Sequence, residues 1–160
     1  CTSSSSSTYS ERLDVFKNTS YTNYENQYSD SACSTDYASK RYTYTMAVGS
    51  DATMADGATT ATKITITSVG VYITGKTDAL VAYMNSNSYC SATDWAKDVE
   101  KDVSSKSTEA TCLDEDDAMG TVYKRVMKVV GTDLWTGDSR SAEDSEGYAT
   151  EIEDSGYDKQ

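Results

Sequence analysis

Four cysteines stand at positions 1, 33, 90 and 112 of a 160-residue chain, and their spacing limits the sulfur chemistry open to it. None belongs to a Cys-x-x-Cys pair, so neither a zinc site nor a thioredoxin-like redox centre is indicated. Widely spaced, even-numbered Cys in an acidic chain rich in Ser, Thr and Tyr predict disulfides and an oxidising compartment. Four Cys allow three connectivities. Local pairing, Cys1 with Cys33 and Cys90 with Cys112, closes two loops of moderate size, each worth about 3 kcal/mol through loop entropy. A competing use of Cys1 is as a lipid anchor. The chain opens on Cys, not Met, and runs into a Ser/Thr-rich stretch, so it is read as processed or truncated; lipid on Cys1 leaves one of the other three thiols unpaired.

Other chemistry-bearing residues are less productive. The acidic run Asp114, Glu115, Asp116, Asp117 offers oxygen ligands for Ca²⁺, with Asp114, Asp116 and Asp117 the candidates. An EF-hand loop starting at Asp114 has Ala118 at position 5, Met119 at position 6 and Arg125 at position 12, so that pattern fails. The chain has no His. That removes the usual general base near neutral pH and with it any Ser-His-Asp triad. No Gly-x-Ser-x-Gly occurs, and no Ser stands three residues before Lys40 or Lys106. No carboxylate pair is singled out for glycoside hydrolysis. The chain is therefore expected not to be an enzyme, and no cofactor is expected. Asn18-Thr19-Ser20 is a glycosylation sequon, which puts Asn18 on the candidate list. Trp95 and Trp135 are read as core or loop anchors.

The elements that must carry these residues are mostly strands. Residues 41–48 alternate, with Tyr42, Tyr44, Met46 and Val48 on one face and Arg41, Thr43, Thr45 and Ala47 on the other. Residues 61–67 put Ile64 and Ile66 together, and 68–74 continue with Gly70 as a bulge or bend. Strand character also appears around Leu13 and Val15, over 21–28, and over 121–130, where Gly131-Thr132-Asp133 turns the chain into Leu134-Trp135-Thr136. Residues 78–83 predict a short helix capped by Thr77 or Asp78; 94–103 predict a second helical turn. Residues 1–10 read as a Ser/Thr-rich tail, 11–137 as a β-rich domain, and 138–160 as an acidic terminal segment of the kind that is usually mobile.

Composition sets the scale of the core. Only 37% of residues are hydrophobic, with 13 Tyr against one Phe. Tyr buries its ring but wants its hydroxyl bonded or wet, which suits thin sheets and contact surfaces. The net charge of −12, without Lys/Arg clusters, argues against nucleic acid and against an anionic membrane. No apolar run reaches membrane-spanning length. Pro is absent, so no predicted strand contains a breaker.

Several of these stretches are similar to a known group. Tyr28-Ser29-Asp30-Ser31-Ala32-Cys33 followed by the strand 41–48 resembles small secreted bacterial lipocalin-like proteins, many of them lipoproteins. So do Ala61 to Ile66, Asn85 to Cys90 with Thr93-Asp94-Trp95, and Leu134-Trp135-Thr136-Gly137-Asp138. Together they span most of 10–140. The resemblance implies an antiparallel barrel and a location outside the cytoplasm, and it transfers no chemistry. It also implies the pairing Cys1–Cys33, while the family's opening Gly-Thr-Trp strand is missing here; either the chain is trimmed, or the barrel lacks a closing strand and leaves a sheet edge open.

The fold expected is therefore all-β, an antiparallel barrel or sandwich of about seven or eight strands, with one or two short helices and extended termini. Two functions follow. One is a structural or assembly subunit outside the cell that self-associates by strand or tail exchange, a surface filament being one such product. The other is a lipocalin-type module for a small apolar ligand lined by Tyr42, Tyr44, Met46, Ile64, Ile66 and Met127.

Overall fold

The computed structural model of the protein describes residues 1–3, 8–106, 109, 112, 118–131, 133–137, 141–153 and 157–158. The fold is mostly antiparallel β, with one α-helix and two short 3-10 turns, as the alternation predicts. The strands are β1 (Thr2–Ser3), β2 (Tyr9–Lys17), β3 (Ser20–Tyr28), β4 (Asp36–Thr53), β5 (Thr60–Gly75), β6 (Lys101–Asp102), β7 (Val122–Val130), β8 (Asp133–Thr136) and β9 (Tyr157–Asp158). The hydrogen-bonded order is β1-β2-β3-β4-β5-β7-β8-β9, with β6 added to β5. Helix α1 (Asp78–Ser86) follows β5. The chain divides into two compact units, Cys1–Thr45 with Ser68–Thr121 and Met46–Thr67 with Val122–Gln160.

In the first unit the core lies where α1 covers β5. Thr77 caps the helix, its hydroxyl accepting from the Leu80 N–H at 3.1 Å, and Asp78 sits in the first turn where the helix dipole favours an acid. Met84 is buried in a cluster with Tyr42, Val71, Ile73, Trp95, Val103 and the two half-cystines Cys90 and Cys112. Leu80 and Val81 pack on it. Gly75 admits this contact, since a Cβ there would lie 2.9 Å from Val81 Cγ2. Trp95 is held from three sides: its N–H donates to Asn85 Oδ1 at 2.8 Å, its carbonyl accepts from Asn85 Nδ2 at 3.0 Å, and its Nε1 donates to the Tyr89 carbonyl at 3.1 Å. The stretch 94–103 that predicted a helical turn holds β6 instead, and the 3-10 turns stand at Tyr89–Ser91 and Ser104–Lys106. Gly70 marks a close approach within β5, because a Cβ there would come within 2.5 Å of Thr43 Oγ1 and 2.9 Å of Tyr72 Cε2.

The second unit has a smaller cluster: Met54, Ala61 and Val126, flanked by Ala52, Tyr148, Ala149 and Ile152. Three of those flanking residues come from the acidic segment. Residues 141–153 are folded against the strands, where the bare sequence predicts mobility. Asp144 Oδ1 accepts from the N–H groups of Glu146 (2.9 Å) and Tyr148 (3.0 Å), and Lys63 Nζ bridges Asp144 (2.7 Å) and Glu146 (2.8 Å). Tyr148 bonds Thr65 at 2.8 Å, with the Lys63 ammonium 4.8 Å from its ring centre. The Thr150 carbonyl accepts from the Ala55 N–H at 2.8 Å.

Candidate functional site

The N-terminal hairpin concentrates exposed groups. Strands β2 and β3 are joined by Asn18 and Thr19, with Lys17 directly opposite Ser20. Asn18 has φ of 52°, a left-handed conformation that Asn tolerates and two-residue hairpins require. The Ser20 hydroxyl donates to the Lys17 carbonyl at 3.0 Å and closes the tip. Asn18 is thus exposed at a hairpin turn.

Opposed residues share a face, so the registers of β2, β3 and β4 generate cross-strand rows. On one face these are Arg12–Glu25–Lys40, Asp14–Asn23–Tyr42 and Phe16–Tyr21–Tyr44. The third row is a stack, with ring centres 4.7 Å and 4.9 Å apart and interplanar angles of 15° and 23°. The second is a hydrogen-bonded network. Asp14 Oδ1 accepts from the Tyr21 hydroxyl (2.6 Å) and from Asn23 Nδ2 (2.7 Å), and Asn23 is buried. Burial, then the Asp14 carboxylate, pushes the Tyr21 phenol far above its ordinary value. Arg12 Nε lies 3.8 Å from the same carboxylate oxygen.

The other face carries Glu11, Leu13, Val15 and Lys17 against Asn26, Tyr24, Thr22 and Ser20. Leu13 is 45% exposed, Val15 40% and the adjoining Tyr24 37%. Beside Tyr24, Arg41 lies 3.8 Å over the Tyr72 ring and forms a two-pronged pair with Glu100 at 2.9 and 2.6 Å.

The outer edge of β2 is covered only at its start. Thr2 pairs with Ser10 and Ser3 with Tyr9. This short β1 is held by the disulfide Cys1–Cys33, with a Cα–Cα distance of 5.9 Å. The Cys33 loop is built on Asp30, whose carboxylate accepts from the N–H groups of Ala32 (3.0 Å), Ser34 (3.3 Å) and Thr35 (2.7 Å). Hydrogen bonds from Thr35 and Ser34 hold the Asp30 pKa down to about 2. Past Ser10, the edge from Glu11 to Lys17 meets no strand among the described residues. Because Lys17 and Ser20 close a two-residue hairpin, the odd-numbered residues of β2 exchange hydrogen bonds with β3. The N–H and C=O groups of Arg12, Asp14 and Phe16 therefore point away from β3, on the side where β1 pairs with Tyr9 and Ser10 and the Cys1 ammonium lies 4.0 Å from Glu11 Oε1.

The four cysteines form the two local disulfides, Cys1–Cys33 and Cys90–Cys112. Of the candidate ligand-lining residues, Tyr42 is committed to the packed cluster of the first unit and Tyr44 to the aromatic stack. Ile64 and Ile66 are buried in the second unit, where they share one face of β5 and β7 with Met127 (paired with Thr62); Met46 is half-buried. Val48, aligned with Tyr42 by alternation, is 63% exposed. Asp114, Asp116 and Asp117 lie outside the described residues. Among the described residues no group of three His, Cys, Asp or Glu is placed to hold a metal ion, and no helix is long and apolar enough to cross a membrane. Sequence reasoning missed the Asp14–Tyr21–Asn23 network. Its signal was available in the strand alternation of 11–17 and 20–27 once the Asn18 turn fixed the register. The chain matches no protein-family model and no curated protein.

Proposed function

We propose that this is an exported, non-enzymatic assembly protein whose working surface is the outward face of the β2–β3 hairpin. The observation that carries this reading is the cluster of exposed apolar side chains on that face, Leu13, Val15 and Tyr24. A second protein surface laid on it buries them and supplies the affinity. Two disulfides fit an oxidising compartment, which supports export. The sulfur of Cys1 serves either its disulfide or a lipid, so intact mass with and without reduction separates a free secreted form from an anchored one.

The test is light scattering against concentration, with Leu13→Lys as the control. Wild type is expected to associate, and Leu13→Lys to weaken that association at least tenfold while leaving the far-UV circular dichroism unchanged. A wild-type protein that stays monomeric at millimolar concentration overturns the reading.

A further inference from the structure

Resting on that reading, we infer that copies held together at the hairpin face exchange residues 141–153, each seating this segment on the second unit of a neighbour. The first argument is the character of the seat. The registers of β5, β7 and β8 put Lys63, Thr65, Lys124, Val126, Lys128 and Trp135 on one sheet face. Three lysines make that face basic in a chain of net charge −12. The occupant it fits is acidic, with apolar residues at its centre. Residues 141–153 have that composition: Glu143, Asp144, Glu146, Glu151 and Glu153, no Lys or Arg, and Tyr148, Ala149 and Ile152 between them.

The second argument is that the segment is a self-contained piece. The Ala142 carbonyl accepts from the Thr150 N–H at 2.9 Å and from its hydroxyl at 2.8 Å, and the Tyr148 carbonyl accepts from the Asp144 N–H at 2.8 Å. Those bonds travel with the segment. Its bonds to the sheet reach residues remote along the chain: Lys63 with Asp144 and Glu146, Thr65 with Tyr148, and the Ala55 N–H with the Thr150 carbonyl. Lys124 also donates to the Glu146 carbonyl. A neighbour's copy of the segment makes every one of these, so exchange gives up nothing at the seat.

The seat also selects its occupant. A Cβ on Gly137 would lie 2.7 Å from Ala149 Cβ and 2.7 Å from Val126 Cγ2, so backbone and side chains meet there without slack. An acidic segment with a residue larger than Ala at that place does not fit, whereas a second copy supplies Ala149 itself. Closed and exchanged forms then differ mainly in which chain the segment belongs to, and concentration decides between them. A segment on a flexible connection competes at about millimolar effective concentration, and a contact that holds two copies together brings the neighbour's segment into the same range.

The experiment uses the unaltered full chain. Equal amounts of unlabelled and nitrogen-15-labelled protein are unfolded together with their disulfides intact, refolded at millimolar concentration and treated with a carbodiimide, which joins an ammonium to a carboxylate in contact with it. Mass spectrometry then reads the bridged peptides that join Lys63 to Asp144 or Glu146. Complete exchange is expected to pair one labelled with one unlabelled partner in about half of them, the random-pairing value. The same mixture refolded at micromolar concentration is expected to give at least tenfold fewer mixed bridges. If wild type associates and Leu13→Lys blocks it, but every bridge is like-labelled at millimolar concentration, each segment stays on its own chain; the inference then fails and the assembly reading stands. A wild-type monomer overturns both.

Discussion

Asp144 shows how much one carboxylate holds in this protein. It takes the Lys63 ammonium on one oxygen and the N–H groups of Glu146 and Tyr148 on the other. The Lys63 contact, then the Tyr148 N–H, lowers its pKa from 3.8 to about 2. Asp30 and Asp56 are lowered to about 2 as well, each mainly by hydrogen bonds from its own turn, Thr35 in one case and Thr59 in the other. A carboxyl whose folded pKa lies below its unfolded value binds fewer protons when folded. Its contribution is fully present above the unfolded value and disappears as pH falls through the folded one. Thermal melts are therefore expected to hold a plateau down to about pH 4 and to drop between about pH 4 and 2. Asp144→Asn is expected to lower the plateau and to make the fall across that window shallower than in wild type. An acid limb of unchanged slope in the variant would mean that Asp144 is not one of the groups that titrate with unfolding.

Among the larger elements, the two disulfides test whether loop entropy or burial governs. Sequence separations of 32 for Cys1–Cys33 and 22 for Cys90–Cys112 give about 3.7 and 3.4 kcal/mol from loop closure alone, too close to rank them. Burial does rank them. Cys90 and Cys112 belong to the cluster with Trp95 and Met84, whereas Cys1 and Cys33 belong to neither apolar cluster. The pair Cys90→Ala/Cys112→Ala therefore removes packed sulfur atoms as well as the cross-link. It is expected to cost about 1 kcal/mol or more beyond Cys1→Ala/Cys33→Ala in denaturant melts. Losing Cys1–Cys33 is expected to have its own signature, because that bridge holds β1 in place beside Tyr9 and Ser10. Equal costs for the two pairs would leave burial without a part.

The same elements show what was legible from local pattern. Local pattern located strands over residues 41–48, 61–74 and 121–130, the last of which starts at Val122, and of the two caps offered, Thr77 and Asp78, Thr77 is the one bonded three residues on. Local pattern failed where the stabilising contact is remote. Nothing within 141–153 announces order, since Lys63 and Thr65 lie 83 residues from the Glu146 and Tyr148 they bind. Likewise, β4 runs on to Thr53, beyond the alternating stretch 41–48, with Gly49 packed so closely on Lys63 that a Cβ would be 3.2 Å from its carbonyl oxygen.

For the molecule as a whole, charge and apolar burial pull in opposite directions. Each copy carries −12, so two copies repel at long range. In the proposed assembly the attraction comes from burying Leu13, Val15 and Tyr24 of the hairpin face. These two contributions respond differently to salt. The Debye length falls from about 30 Å at 0.01 M to about 8 Å at 0.15 M, which removes most of the repulsion between distant carboxylates while leaving apolar burial untouched. Sedimentation equilibrium is therefore expected to show tighter association on raising salt from 0.01 to about 0.15 M, with little change beyond. Weakening over the same range would mean that exposed charge pairs hold the copies together and that the apolar face contributes little.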